Sequence, residues 1–231
     1  MAFLRERGVR CLALDIDGTL YPKRMLNARM VRSFFPSGRL ALAFNWARSH
    51  YRLLQEEEET IPPTRVGLLK RQAALVAHRM GKTETDEVQR AIDRQFYDAW
   101  ERSFLTIKPF RGLRETLLRV KDQGLSIALL SDFPIARKPE TLGIVDLVDH
   151  AFSSEESGYL KPSPHAFSPL LDGLGCRADE ILYVGDSYTK DCIGAKGVGM
   201  YTALLTGRTS RSYPSADLVI DSWTELAALI L

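Results

Sequence analysis

The sequence of 231 residues predicts an α/β fold, in which a parallel β-sheet covered by helices carries an all-helical insertion. Short apolar runs alternate with helical segments before residue 21 and after residue 106, as is typical of a parallel sheet with helices on both faces. Between these points, apolar residues recur only at helical spacing. We therefore predict a core domain at residues 1–20 and 107–231 and a helical domain at residues 21–106.

The first strand is predicted at residues 9–15, where an apolar run reaches two closely spaced acids. A long helix follows at residues 38–58, with Ser37 as its N-cap. One face of this helix carries an apolar stripe, which contains Leu40, Phe44, Ala47, Tyr51 and Leu54. An acidic run at residues 56–59 and two prolines after it end this helix, because proline cannot continue the hydrogen-bond ladder.

Two more helices are predicted in the insertion. The first covers residues 64–80 and stops at Gly81, because glycine readily adopts the left-handed conformation that ends helices. The second covers residues 84–104, with Thr83 as N-cap and acidic residues in its first turn.

The rest of the chain alternates between helices and short apolar strands. Helices are predicted at residues 111–123, 134–142, 164–174, 191–196 and at the C-terminal end. Strands are predicted at residues 125–130, 151–153, 181–184, 200–205 and 218–220.

Composition and charge limit the functional classes. The net charge is only +2 and basic residues are dispersed, which argues against nucleic-acid binding. Cys11, Cys176 and Cys192 form no CxxC pair, so a disulfide framework is not expected, and the four histidines lack zinc-ligand spacing. No segment reaches about 18 consecutive apolar residues, and the N-terminus lacks the apolar region of a signal peptide. We therefore expect no membrane segment and a cytoplasmic location.

Polar side chains follow three of the predicted strands. They are Asp15 and Asp17, Ser131, and Asp186, with Asp191 about one helical turn further along. Because the carboxyl ends of parallel strands meet at one edge of a sheet, these side chains are expected to converge. Neighbouring carboxylates repel one another, and a hard cation with oxygen ligands, such as Mg²⁺, removes that cost. Each feature alone has an ordinary alternative, such as a turn or a helix cap, but their combination predicts a metal-dependent site.

These residues and Lys161 make up four motifs that resemble those of the haloacid dehalogenase-like hydrolase superfamily. The motifs are DIDGT at residues 15–19, Ser131, Lys161, and GDSYTKD at residues 185–191. The helical insertion resembles the C1-type cap of the phosphoglycolate phosphatase-like branch in position and helical character. The resemblance therefore implies a Rossmann-like core domain and a helical cap domain.

The resemblance implies a phosphatase that works through an aspartyl-phosphate. Asp15 would be the nucleophile, and Asp17 would protonate the leaving oxygen and later activate water. Ser131 would hold a phosphoryl oxygen, and Lys161 would neutralise charge on the phosphoryl group. Thr19 shapes the turn after the first strand and is also a candidate substrate contact.

The cofactor that the resemblance implies is Mg²⁺. Asp15 and Asp186 would bind it through carboxylate oxygens, and Asp17 would bind it through its backbone carbonyl. Asp191 would hold a metal-bound water or pair with Lys161. Because Mg²⁺ usually keeps several waters, few protein ligands are expected.

Asp132 departs from the pattern, because many relatives carry a neutral residue after the motif Ser or Thr. It is a candidate substrate contact whose role the sequence leaves open. Further candidates for contact with the leaving group are Tyr21, Lys23 and Arg24, and in the cap Arg48 and Arg52. For the two cap arginines, a solvated helix face is the more common alternative.

Small phosphorylated metabolites are the substrates that the resemblance implies. Leu20-Tyr21-Pro22 resembles the start of some pyrimidine nucleotidases, so a nucleoside monophosphate 5′-nucleotidase is one alternative. A β-phosphoglucomutase-type phosphomutase and a catalytically silent interaction protein are two others, whereas Asp17 argues against a dehalogenase or a phosphonatase. The chain is expected to be a monomer or a homodimer, with Phe44, Trp46 and Trp100 more typical of core than of interface.

Overall fold

Six parallel strands form one sheet in the order β3-β2-β1-β4-β5-β6 in a computed structural model that describes residues 3–33, 38–57 and 63–231. The strands are β1 (Cys11–Leu14), β2 (Ser126–Ser131), β3 (His150–Ser153), β4 (Ile181–Gly185), β5 (Tyr201–Leu205) and β6 (Leu218–Ile220). The predicted α/β class and parallel sheet are thus confirmed. The predicted and observed strand bounds differ by no more than two residues at any strand end.

Helices cover the sheet and make up the segment between β1 and β2. They are α1 (Phe3–Glu6), α2 (Lys23–Ser33), α3 (Gly38–Glu57), α4 (Arg65–Met80), α5 (Thr85–Ile92), α6 (Asp98–Phe104), α7 (Leu113–Asp122), α8 (Lys138–Thr141), α9 (Ser168–Leu174), α10 (Gly194–Gly197) and α11 (Trp223–Ile230). All regular structure described between β1 and β2 is helical, apart from an isolated bridge between Asp17 and Tyr21. Helix α2 was not predicted as an individual helix, because the sequence indicated only that this part of the chain is helical.

The central strand β1 is buried on both faces, because helices pack on each side of the sheet. Leu12 and Leu14 belong to the larger apolar cluster, whereas Cys11 and Ala13 point to a second cluster around Phe167. Successive side chains of β1 therefore point to opposite faces of the sheet. Because β1 lies between β2 and β4, the acids that follow it lie near the middle of the sheet. All three cysteines are free.

The caps of α4 illustrate how sequence sets the helix bounds. The Thr64 hydroxyl accepts a hydrogen bond from the Gly67 amide at 3.1 Å, and Gly81 closes the helix at φ 67°. The helix predicted at residues 38–58 is α3, but its proposed cap Ser37 and residues 58–62 lie outside the described residues.

The helix predicted at residues 84–104 is interrupted by a π-helical turn at Asp93–Tyr97. The proposed cap was also wrong, because Glu84 rather than Thr83 occupies the N-cap position of α5 and no side chain caps it. The wider turn changes the helical phase and lets Phe96 stack on Phe44, with ring centroids 4.2 Å apart. Tertiary packing therefore overrides the regular helical repeat here.

The aromatic residues of the insertion serve different roles. Phe44 is buried in the main apolar cluster, whereas Trp46 is half-buried and stacks on His50. The side chain of Trp100 lies outside the described residues. Among the helices that the structure describes, none is both long and apolar enough to cross a membrane.

Candidate active site

The carboxyl ends of three adjacent strands bring the predicted motifs together. Asp15 follows β1, Ser131 ends β2, and Asp186 follows β4. These strands are direct neighbours, with Ala13 in register with both Ala128 of β2 and Tyr183 of β4. The expected convergence at one sheet edge is therefore a consequence of the strand order.

Lys161 lies at the centre of the site and is 2% exposed. Its Nζ donates to Asp15 Oδ1 and to Asp191 Oδ1, each at 2.7 Å, and to the Tyr183 hydroxyl at 2.9 Å. The Tyr183 hydroxyl in turn donates to the Leu130 carbonyl at 3.2 Å. All three donor positions of the ammonium group are thus used, which fixes its position. The sequence marks Tyr183 only as a buried strand residue and gives no sign of this contact.

The ionisation of this cluster follows from burial and mutual charge. Burial alone would lower the pKa of Lys161, but Asp15 and Asp191 outweigh it and hold that pKa well above its usual value. Burial likewise opposes ionisation of Asp15, yet Lys161 keeps the pKa of Asp15 below its usual value. The carboxylate of Asp15 is therefore held in its ionised form at the end of β1.

Three carboxylates form the candidate metal site. One oxygen each from Asp15, Asp186 and Asp191 lie within 4.8 Å of one another. Burial, together with the charge of Asp15, raises the pKa of Asp186. Asp186 has no hydrogen bond or ion pair within the described part of the chain. An unpaired, half-buried carboxylate beside two others is the oxygen-donor set that suits Mg²⁺.

Two glycines make this close approach possible. A Cβ atom on Gly18 would lie 2.2 Å from Asp186 Oδ2, and the φ of Gly18 is +113°. A Cβ atom on Gly185 would lie 2.3 Å from the Asp191 side chain. Any larger residue at either position would displace a carboxylate, which explains the glycines of the first and fourth motifs.

Asp17 is held by two residues that the sequence singled out for other roles, Tyr21 and Ser131, and by Lys138, which it did not single out. Its Oδ1 accepts from the Tyr21 hydroxyl at 2.6 Å, and its Oδ2 accepts from Ser131 Oγ at 3.2 Å. Lys138 Nζ lies 3.3 Å from Oδ1 and 3.2 Å from Oδ2. Ser131 Oγ also accepts from the Phe133 amide at 3.1 Å. Ser131 is fully buried, so in this state its hydroxyl contacts Asp17 rather than the open site.

Thr19 and Asp132, the two candidate substrate contacts beside the motif residues, both form hydrogen bonds within the protein. Thr19, a candidate substrate contact, is fully buried and donates to Asp15 Oδ2 at 3.0 Å. Asp132 Oδ1 accepts from the Lys161 amide at 3.0 Å and from Ser154 Oγ at 2.8 Å. Its Oδ2 accepts from Arg52 at 2.7 Å. Asp132 therefore fixes the backbone of Lys161, although it also lines the cavity.

Helix α3 clamps the loop that carries Lys161. Tyr51 donates to the Gly158 carbonyl at 2.7 Å, and Arg52 donates to the Lys161 carbonyl at 2.8 Å. Gln55 donates to the Leu160 carbonyl at 2.6 Å and accepts from the Leu160 amide at 3.0 Å. The loop is thus held through backbone groups, independently of its side chains.

Arg48 and Arg52 face inward, but each is already paired. Arg48 Nη1 lies 2.8 Å from Glu155 Oε1, Arg48 Nη2 donates to the Asp132 carbonyl at 2.6 Å, and its guanidinium lies 4.0 Å from the centre of the Phe133 ring. The sequence suggested either a solvated face or an anion site for these arginines. The observed role is a buried bridge between α3 and the β2–β3 region.

A cavity of about 490 Å³ opens above the strand ends. Its walls include Asp15, Asp17 and Lys161, together with Lys23 and Lys190. Neither the Lys23 nor the Lys190 ammonium group has a hydrogen-bond or ion-pair partner among residues 3–33, 38–57 and 63–231. Burial, followed by the charge of Lys23, lowers the pKa of Lys190. Arg24, the other basic candidate near the first motif, lines a separate cavity beside β5 and β6.

The family model that describes a haloacid dehalogenase-like hydrolase matches residues 9–199. A glyceraldehyde 3-phosphate phosphatase of Methanopyrus kandleri is 27% identical over 84% of this chain and 82% of its own length. A phosphoglycolate phosphatase of Mannheimia succiniciproducens is 27% identical over 90% of each chain.

A ribulose-1,5-bisphosphate 5-phosphatase of Halopiger xanaduensis is 38% identical, but over only 45% of each chain. The match thus spans about half the length of that relative, as it does for several other glyceraldehyde 3-phosphate phosphatases. Among solved structures, the HAD-hydrolase YfnB of Bacillus subtilis aligns with a TM-score of 0.68 at 16% identity, covering 96% of this chain and 98% of that one. At this level of identity, the structural similarity shows a shared fold and nothing about activity.

Proposed function

The chain belongs to the haloacid dehalogenase-like hydrolase family, and on this premise we propose that it is a Mg²⁺-dependent phosphatase acting on a small phosphomonoester metabolite. The observation that carries the proposal is the Lys161 ammonium, buried between the carboxylates of Asp15 and Asp191 at the floor of the cavity. Phosphoryl transfer requires an aligned nucleophile and a surplus of positive charge around it. Relatives that are named phosphatases support the same reaction class.

In the proposed reaction, a carboxylate oxygen of Asp15 attacks phosphorus while the bond to the leaving oxygen breaks, and Asp17 gives that oxygen a proton. Asp17 then takes a proton from water as the water oxygen attacks the aspartyl-phosphate, which breaks the bond between phosphorus and Asp15. Lys161 stabilises negative charge in both steps. Ser131 would leave Asp17 and donate to a phosphoryl oxygen when substrate binds.

The carboxylates present fit a hard divalent cation. Asp15, Asp186 and Asp191 offer three oxygens in one cluster, and Asp186 has no other polar partner in the described ranges. We propose that Asp15, Asp186 and the backbone carbonyl of Asp17 would hold Mg²⁺, with Asp191 oriented by Lys161 and by the Ser187 amide at 2.9 Å. Bound there, the ion would supply charge stabilisation for the phosphoryl group.

Removal of divalent metal tests this proposal directly. With Mg²⁺, the purified chain is expected to release inorganic phosphate from members of a phosphometabolite panel, and chelation is expected to reduce the rate by more than about 100-fold. Restored Mg²⁺ should restore the rate. Asp186→Asn should require much more Mg²⁺ for half-maximal activity, whereas the exposed Asp179→Asn should match the wild type. Activity that is unchanged by chelation would contradict the metal site.

The two unpartnered lysines favour a substrate with a second anionic group. Lys23 and Lys190 face the cavity that holds Asp15, whereas Arg48 and Arg52 are already paired. Lys190→Met is expected to raise the KM for 2-phosphoglycolate by about tenfold and the KM for glycerol phosphate by less than about twofold. Lys82→Met, at an exposed site beyond α4, serves as the control. Equal increases in KM for the two substrates would mean that Lys190 interacts only with the phosphoryl group.

The remaining alternatives differ in their products. A phosphomutase would convert a hexose phosphate to a phosphorylated isomer, whereas a phosphatase would release free phosphate. A nucleoside monophosphate in the panel tests the nucleotidase alternative. A silent interaction protein would release no phosphate from any member of the panel.

A further inference from the structure

We propose that Lys138 is a positioning residue that holds the carboxyl group of Asp17 toward the leaving group. This inference rests on the proposed phosphatase function. It adds to that reaction a residue outside the four motifs.

Lys138 is the first residue of α8 and is only 5% exposed. Its Nζ lies 3.2 and 3.3 Å from the two oxygens of Asp17, so one ammonium group spans the whole carboxylate. The exposed fractions of the two side chains are 6% and 12%. Burial of a lysine costs free energy unless a charge partner compensates it, and the Asp17 carboxylate is such a partner for Lys138. The fold thus brings a cation specifically to the proposed acid.

The other contacts of Asp17 explain why Lys138 matters during the reaction. Tyr21 donates to Oδ1 at 2.6 Å, and Ser131 donates to Oδ2 at 3.2 Å. In the proposed reaction, Ser131 turns to the phosphoryl group, so Tyr21 and Lys138 remain to orient Asp17. With Tyr21 on Oδ1, the other oxygen is the one left to face the leaving group.

The direction of the Asp17 carboxyl matters most in the step that needs a proton. An acid that is turned away from the leaving oxygen cannot protonate it, whereas a stable leaving group departs without a proton. The effect of Lys138 is therefore largest when the leaving group is a poor one that must be protonated.

Leaving-group dependence tests the inference. p-Nitrophenyl phosphate releases a stable phenolate, whereas glycerol phosphate releases an alkoxide that needs a proton. Lys138→Met is expected to reduce kcat about 30-fold for glycerol phosphate and less than about threefold for p-nitrophenyl phosphate. Lys138→Arg should retain most of the rate. Arg137→Met changes the exposed neighbour, which forms no hydrogen bond or ion pair with Asp17, and should resemble the wild type.

The outcomes separate the inference from the proposed function. Equal losses on the two substrates, with a wild type active on both, would overturn the role of Lys138 and leave the phosphatase function standing. A wild type that releases phosphate from neither substrate nor the wider panel would overturn both. If Lys138→Met fails to fold by circular dichroism, Tyr21→Phe removes the other fixed contact and should show the same selective loss for glycerol phosphate. No selectivity in that variant would also contradict the inference.

Discussion

Asp15→Asn is expected to reduce phosphate release by more than about 10⁴-fold, because an amide cannot form the aspartyl-phosphate. The fold should survive the change. The amide oxygen can replace Oδ1 opposite Lys161 at its present distance of 2.7 Å, and the amide nitrogen can face the Thr19 hydroxyl, which is able to accept. Lys161 also keeps Asp191 as a charged partner. The measurement is phosphate release with Mg²⁺, alongside a thermal melt of each protein.

Asp17→Asn is the matched comparison, because it removes the other acid of the same motif. It should slow turnover by about 10² to 10⁴-fold, yet still form the intermediate from p-nitrophenyl phosphate, whose leaving group needs no proton. Rapid mixing should therefore show a burst of nitrophenolate in Asp17→Asn and none in Asp15→Asn. A burst in Asp15→Asn, or equal steady-state losses with no burst in either variant, would contradict the separate roles of the two acids.

The sequence predicted the sheet well, because its strands are buried on both faces and are short apolar runs with clear ends. The central strand β1 shows this directly, since its four residues are fully buried. Helix bounds were predicted where a capping residue sets them, as Gly81 does for α4. The π-helical turn at Asp93–Tyr97 was not predicted, because it depends on contacts between Phe96 and distant Phe44 rather than on local propensity.

The motif residues of the site could be predicted because strand ends in a parallel sheet have a fixed relation to one another. The structure agrees with this expectation, since one carboxylate oxygen each from Asp15, Asp186 and Asp191 lie within 4.8 Å of one another. Thr19 shows the limit of motif reasoning, since its position in DIDGT does not reveal that its side chain is fully buried behind Asp15.

The supporting residues could not be predicted, because each acts across a long sequence separation. Lys138 reaches Asp17, and Glu155 reaches Arg48, from segments whose local pattern indicates only a helix or a turn. A lysine or glutamate in such a segment is normally solvated. Only the packing of α3 and α8 against the strand ends makes these side chains buried partners.

Glu155→Gln is expected to lower the free energy of unfolding by about 3 kcal/mol, because it leaves a buried guanidinium without its counter-charge. Glu155 is fully buried, and its Oε1 accepts from Arg48 at 2.8 Å and from the Tyr97 hydroxyl at 2.9 Å. Arg65 lies 3.4 Å from Oε2, but it is partly exposed and can turn to water. Arg48 has no such freedom, since its side chain is 5% exposed and lies against Phe133.

The adjacent Glu156 provides the control, because its side chain is 62% exposed and lies 3.8 Å from Arg65. Glu156→Gln should change the free energy of unfolding by less than about 0.5 kcal/mol in the same urea titration. The double variant Arg48→Met with Glu155→Leu removes both charges and should recover most of the stability that Glu155→Gln loses. Equal, small effects of the two single glutamine variants would mean that the pair contributes no more than a surface contact. A double variant less stable than Glu155→Gln would instead mean that the stabilisation comes mainly from the hydrogen bond between Arg48 Nη2 and the Asp132 carbonyl.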